Sequence, residues 1–451
     1  MPESLSPLSA AQPRGPVRLA LQADLLDFPL APALEDTSAQ AARWRPDHWL
    51  LVEDGRIAAV LPPDQAPGAD WAPHDHRGQL LLPGFIDTHV HCPQLDVIAS
   101  HGTSLLDWLE TYTFPAERRF ADPAVARAGA DLFVQALLAH GTTAAVVFPT
   151  VHAVAAEALF AAAQRQGMRL IAGKVLMDRH APEGLRDDVD GARADCERLI
   201  ARWHGQGRNA YAVTVRFAPT STPAQLAMAG ALMRDHPGLY MQTHVAENTD
   251  EVRWVAELFP QARSYLDVYR RAGLLCERAV LAHGIWLDDA DRALLRDTGA
   301  QIAFCPSSNL FLGSGLFDWA AAQRQGVPVS LASDVGGGTS LSMQRTLLDA
   351  YKVQALRGVR LSAWAALHAA TQGAAQALGL DQEVGLLEPG RLADVVAWRW
   401  ADGPVAEHRD AVARGQVPGL PVQSLHARVF AWLTLSGEHN RLATWVAGRR
   451  V

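Results

Sequence analysis

The chain has 451 residues, 49% of them hydrophobic and 20% charged, with a formal net charge of −8. That balance supports a large buried core and is too apolar for a disordered chain. The mild acidic excess, without a long like-charge run, argues against a nucleic acid or an anionic membrane as partner, and no apolar run approaches the ~18 residues of a membrane-spanning helix. The cysteines (Cys92, Cys196, Cys276 and Cys305) are far apart and form no C-x-x-C. Disulfides are therefore not expected, and a reducing cytoplasm is the expected location.

In chain order, residues 1–16, "MPESLSPLSAAQPRGP", lack a basic n-region and an apolar h-region and read as a short disordered tail. Residues 17–82 read as short strands, "VRLALQADLLDF" and "HWLLVEDGRIAAVLP", with the first hairpin lengthened by "DFPLAPALEDTSAQAARWRPDHW". Over residues 83–384 one pattern repeats: a short apolar or β-branched run ends in polar residues, and a helical stretch follows. The runs are "LLLPGFIDTHVH", "TTAAVVFPT", "RLIAGKVLMD", "YAVTVRFAPT", "LYMQTHVAE", "AVLAHGIWL", "QIAFCPSSN" and "PVSLASDVG". The intervening Ala-rich segments have clear ends; in "FADPAVARAGADLFVQALLAHG", Asp122 suits an N-cap, Pro123 the first helical position and Gly141 the stop. Eight alternations predict an α/β fold, a (β/α)8 TIM-type barrel. Residues 385–451 return to strands in "GLLEPGRLADVVAWRW" and "RLATWVAGRRV", so both chain ends are expected to form a small β-sandwich beside the barrel.

Function in such barrels sits at the C-terminal ends of the strands. The first run ends in His89 and His91, which share a face because side chains at i and i+2 of a strand point the same way. The fifth run supplies His244, with Glu247 three residues on; the sixth supplies His283, and the eighth Asp334. Each has a bland explanation alone: a core histidine for His283, a turn residue before three glycines for Asp334, a first-turn helix acid for Glu247. Six other histidines, among them His101, His152 and His368, fall in loops or helices, so coincidence of position carries the metal reading. A set of His89, His91, His244, His283 and Asp334 suits Zn²⁺, and Fe²⁺ tolerates similar ligands. Glu247, just past a ligand, is placed to carry a proton between water and substrate, and Asp334 is placed to share that task.

These elements resemble the amidohydrolase superfamily: "PGFIDTHVH", a histidine after the fifth strand, "AHG" after the sixth, "SD" after the eighth and the closing "GLLEPGRLADVV". The more specific "HCPQ", "LLDWLETYTFPAERRF", "GKVLMD", "RFAPT", "THVAEN", "SDVGGGTSLSM" and "NRLATWVAGRRV" are similar to the guanine deaminases of that superfamily. The resemblance implies water attack at C2 of guanine, giving xanthine and ammonia in purine catabolism. It implies His89, His91, His244, His283 and Asp334 as metal ligands, with His283 either on the metal or nearer the substrate. It makes Glu247 the general acid/base, alongside Asp334 and His283, and places Gln94, Arg216 and Phe217 on the purine with His244 and His283. A guanidinium suits a carbonyl such as O6, an amide both donates and accepts, and an aromatic ring offers a flat wall. A homodimer is expected because relatives pair.

Two-metal members usually carry a bridging carboxylated lysine at the end of the fourth strand, where this chain has Arg216; one metal per chain is therefore expected. Lys174, in the third run, reads as an ion-paired barrel residue, and Cys92 as a buried, inert thiol. The zinc deaminase signature H-x-E with P-C-x-x-C is absent, as are a phosphate loop and a G-x-S-x-G elbow. Rival readings are a sibling deaminase of another aminopurine, such as 8-oxoguanine, and a non-catalytic barrel scaffold.

Overall fold

The computed structural model describes residues 18–101 and 105–451, so the expected disordered tail over residues 1–16 lies outside the described residues. The chain enters through β1 (Arg18–Asp27), β2 (Arg43–Glu53), β3 (Arg56–Leu61) and β4 (Ala72–Pro83). The barrel follows as β5 (Phe85–His91), β6 (Thr142–Phe148), β7 (Arg169–Ala172), β8 (Val175–Leu176), β9 (Asn209–Val215), β10 (Tyr240–Val245), β11 (Ala279–His283), β12 (Gln301–Phe304) and β13 (Val329–Leu331). The chain finishes with β14 (Val395–Trp398), β15 (Arg441–Val446) and β16 (Arg449–Arg450).

All barrel pairings are parallel, in the order β13-β12-β11-β10-β9-β7-β6-β5, with β8 also on β9. The first and eighth runs close the ring: Asp334 N–H donates to the His89 carbonyl, and His91 N–H to the Val335 carbonyl, each at 2.9 Å. The third run is split into β7 and β8 by Gly173 and Lys174. A Cβ on Gly173 would lie 1.8 Å from the Ala212 carbonyl oxygen, so the close approach to β9 requires glycine. Every residue of β6 and β9 is buried, as a parallel sheet covered on both faces demands. The helix Pro123–Ala139 starts where expected, with the Asp122 carboxylate accepting from Ala124 N–H at 2.7 Å.

The two chain ends pair in one seven-stranded sheet, β16-β15-β14-β4-β1-β2-β3, with β14 slotted antiparallel against β4. It has a separate apolar core that mixes both ends, including Leu21, Leu25, Leu50 and Leu81 with Val395, Ala397 and Trp445. Fully buried Asp27 joins them again: it pairs with Arg43 and accepts from Leu387 N–H at 2.8 Å. Strand patterning missed two helices between β14 and β15, Pro404–Ala413 and Leu425–Leu435. The second buries Val429, Trp432 and Leu433, and its near-continuous apolar sequence "VFAWL" hides the helical period. The long first hairpin also finds a role. Leu34 O and Ser38 O accept from Ser362 N–H (2.6 Å) and Trp364 Nε1–H (3.0 Å), which anchors the hairpin on the barrel.

Trp398 couples sheet to barrel. It is fully buried, with its ring centroid 5.8 Å from Phe85 and 5.7 Å from Trp432. Trp398→Ala leaves a large cavity at that junction and is expected to cost about 3–5 kcal/mol of stability. Urea unfolding followed by tryptophan fluorescence and circular dichroism reads the loss; an unmoved midpoint would show that sheet and barrel stand independently.

Candidate metal and active site

The strand ends converge as the alternation of side chains requires. His91 Nε2 lies 3.2 Å from His89 Nε2 and 3.2 Å from His244 Nε2. Asp334 Oδ1 lies 3.2 Å from His89 Nε2 and 3.3 Å from His91 Nε2. His283 Nε2 is 3.7 Å from Asp334 Oδ2, and ligand atoms of His89, His244, His283 and Asp334 all fall within 4.8 Å of one another. Two atoms each ~2.1 Å from a shared tetrahedral ion stand roughly 3.4 Å apart, so these spacings fit one small divalent cation. His283 Nε2 is buried without a hydrogen bond, as a group reserved for a ligand would be.

The surrounding groups fix the ligands' form. His244 Nδ1 is 2.6 Å from the Arg216 carbonyl, and His283 Nδ1 is 2.9 Å from Asn309 Oδ1. Each contact holds the proton on Nδ1 and turns the Nε2 lone pair inward. Burial lowers the pKa of His89, pushes His91 down to about 3 and takes His244 well below the usual range, which favours the neutral, ligating imidazole. Burial raises Asp334, but hydrogen bonding to His89 and His91 and the charges of His89 and His283 outweigh it and hold the carboxyl well below the usual carboxylate range. Phe148, at the end of β6, sits 4.8–4.9 Å from the rings of His89, His91 and His244 and restricts their rotation. Asp87 ties the first and eighth strands together. Its carboxylate accepts from Ser333 N–H at 3.0 Å and from the Ser333 hydroxyl.

His283 (φ 72°) and Asp334 (φ 50°) both adopt left-handed backbone conformations. For non-glycine residues this costs free energy of order 1–3 kcal/mol and persists where the surroundings enforce it, often at functional sites.

A cavity of about 430 Å³ opens beside this cluster, lined by His91, Gln94, Arg216, Phe217, His244, Glu247, His283 and Asp334 among others. Of the metal, catalytic and purine-binding residues expected from sequence, all except His89 line it; His89 belongs to the donor cluster with His244, His283 and Asp334. Glu247 is not a surface acid: it is 3% exposed, precedes the helix Thr249–Leu258, and sets Oε2 3.4 Å from His283 Nε2. Ser314 Oγ–H donates to its other oxygen at 3.0 Å. Burial, and secondarily the charge of Asp334, raise Glu247 to about 8.

Several residues of the site were not singled out from sequence. Trp108 and Leu109 line the cavity from the helical segment Leu105–Arg119. Glu251 accepts from the backbone N–H of Glu247 (2.9 Å) and Asn248 (3.2 Å) and from Tyr265 O–H (2.7 Å). The sequence "NTDE" carries the capping-box signature that would have found it. Asn309 and Ser314 carried no local signal beyond a strand end and a loop.

Lys174 is buried in an ion pair with Asp187 Oδ1 at 2.5 Å and does not line the cavity. Cys92 is buried, and burial raises its thiol, which makes it unreactive; all four cysteines are free.

Comparison with known proteins agrees with this architecture. A family model described as the amidohydrolase family matches residues 80–451. The guanine deaminase of Escherichia coli (strain K12) is 42% identical over 420 residues, covering 92% of this chain and 93% of that protein. A probable guanine deaminase of Deinococcus radiodurans is 43% identical over 353 residues, 78% of this chain and 80% of its own length. The solved structure of E. coli guanine deaminase superposes with a TM-score of 0.90 at 40% identity, over 96% of this chain and 99% of that one. By its barrel, its paired ends and these similarities, the chain belongs to the amidohydrolase family.

Proposed function

We propose that the protein is a guanine deaminase, a metal-dependent hydrolase that converts guanine and water to xanthine and ammonia. The observation that carries this is one cavity in which Glu247 and the His/Asp cluster meet Arg216, Gln94 and Phe217, in a chain similar to guanine deaminases over nearly its whole length.

When bound by His89, His91, His244 and Asp334, with His283 adjacent, a divalent cation supplies Lewis acidity that lowers the pKa of water from ~15.7 to about 7. Glu247 takes the proton released as water adds at C2 and returns it through Oε2 to the substrate nitrogen, so that ammonia leaves. Asp334, kept ionised by its histidine neighbours, assists by accepting a hydrogen bond from the same water. His283 donates Nδ1–H to Asn309 and so presents Nε2 to the reacting centre. Arg216 directs donors at O6, Gln94 reads the lactam edge, and Phe217 walls the ring, directly or through its backbone. Zn²⁺, with Fe²⁺ also suited to the same donors, belongs to the same proposal on the chemistry of the ligand set; one ion per chain, purine breakdown in the cytoplasm and a homodimer are supported by the resemblance.

The sibling reading, another aminopurine such as 8-oxoguanine, differs only at the far edge of the base. The purified protein is expected to consume guanine, with loss of substrate absorbance and stoichiometric ammonia. Inert guanine beside rapid turnover of 8-oxoguanine would replace the first reading by the second. A scaffold barrel would have lost ligands, and here each ligand position is filled.

A further inference from the structure

Glu117 lies on the helical segment Leu105–Arg119, far in sequence from the groups it touches. It is completely buried. Its Oε1 accepts from Arg216 Nη1 at 2.5 Å and from Gln94 Nε2 at 3.3 Å. Gln94 is held at its other end too, its Oε1 accepting from Gly336 N–H at 3.1 Å. A Cβ on Gly336 would stand 2.6 Å from the Gln94 carbonyl oxygen, so glycine is what allows that approach. The second carboxylate oxygen of Glu117 is buried without a hydrogen-bond partner.

One carboxylate therefore governs two side chains that enter the cavity from different strands, Gln94 just after β5 and Arg216 just after β9. The amide of Gln94 has two possible orientations, and contacts at both ends select one, leaving one N–H and one carbonyl lone pair for a ligand. The guanidinium has five N–H donors in a rigid fork, so pinning Nη1 sets where the remaining donors point. Glu117 also supplies the counter-charge without which a buried Arg216 would be costly. We infer that Glu117 is the positioning residue for base recognition, acting through Arg216 and Gln94 to select purines that carry a 6-oxo group. This rests on the guanine reading above.

The test measures KM and kcat for guanine and, in the same assay, competition by 2-aminopurine, which lacks O6. Glu117→Gln keeps the shape and removes the charge. It is expected to raise KM for guanine about tenfold or more, as loss of a charge-assisted contact does, with a smaller change in kcat. The inhibition constant of 2-aminopurine should move less than about threefold, because that ligand offers Arg216 no acceptor at C6. In an Arg216→Gln background the same change should add less than about threefold, since the shorter, charge-paired route through Arg216 is already cut and only the 3.3 Å contact with Gln94 remains. Glu117→Asp, which keeps the charge one methylene short, should fall between wild type and Glu117→Gln, and it carries the comparison should the Gln variant not fold. Equal loss for both ligands, full additivity with Arg216→Gln, or an unmoved guanine KM overturns the inference. A wild-type protein inert toward guanine instead overturns the reading on which it rests.

Discussion

Glu247→Gln is expected to retain the metal and lower kcat by about 10²–10⁴, the usual contribution of a positioned proton carrier. The substitution preserves volume and the hydrogen bond from Ser314, which donates to Oε1 at 3.0 Å. It spares every donor of the His/Asp cluster, since Glu247 stands 3.4 Å from His283 and contributes no atom to the grouped ligand set. What it removes is a carboxyl group that is 3% exposed and able to accept and release a proton inside the cavity it shares with His283 and Asp334. Turnover measured with metal content on the same sample separates the two roles. Activity close to wild type with the ion retained would place the proton carrier elsewhere, and loss of the ion would make Glu247 part of the binding site instead.

Removal of the metal is expected to abolish turnover and to destabilise the fold. The His89, His91 and His244 imidazoles and the Asp334 carboxylate crowd at 3.2–3.3 Å contacts, His283 Nε2 stands 3.7 Å from Asp334, and burial keeps His91 and His244 neutral. Without an ion, inward-facing lone pairs such as that of His283 Nε2 have no partner, at a cost of about 1–3 kcal/mol per buried group. Binding to the folded state alone adds about 2.7 kcal/mol when free ion stands 100-fold above its Kd. Dialysis against a chelator should lower the melting temperature and eliminate ammonia release, and one equivalent of Zn²⁺ or Fe²⁺ should restore both. Elemental analysis is expected to give close to one ion per chain. Two ions, or full activity of the stripped protein, would contradict the single centre inferred from Arg216 in place of a bridging lysine.

The sequence by itself determined the barrel and the gathering of His89, His91, His244, His283 and Asp334 at its rim, because both follow from short-range rules. Apolar runs ending in polar residues mark strands that deliver their last side chains to one rim, and the two-residue period puts His89 and His91 on the same face. Even the burial of Lys174 in an ion pair could be anticipated from its place inside a strand run. The tertiary structure decided the rest. Glu117 and Arg216 are 99 residues apart, and no local pattern distinguishes a helix glutamate that meets a buried arginine from one that faces water. The contacts of Asn309 with His283 and of Ser314 with Glu247 likewise join separate loops. The left-handed backbone at His283 and Asp334 is also a feature of the folded ring that neither residue type favours by itself. Local periodicity fixes which face a side chain occupies; which neighbours share that face depends on chain closure over scores of residues, so the contacts of Glu117 with Arg216 and Gln94 were set by packing that the linear pattern does not encode.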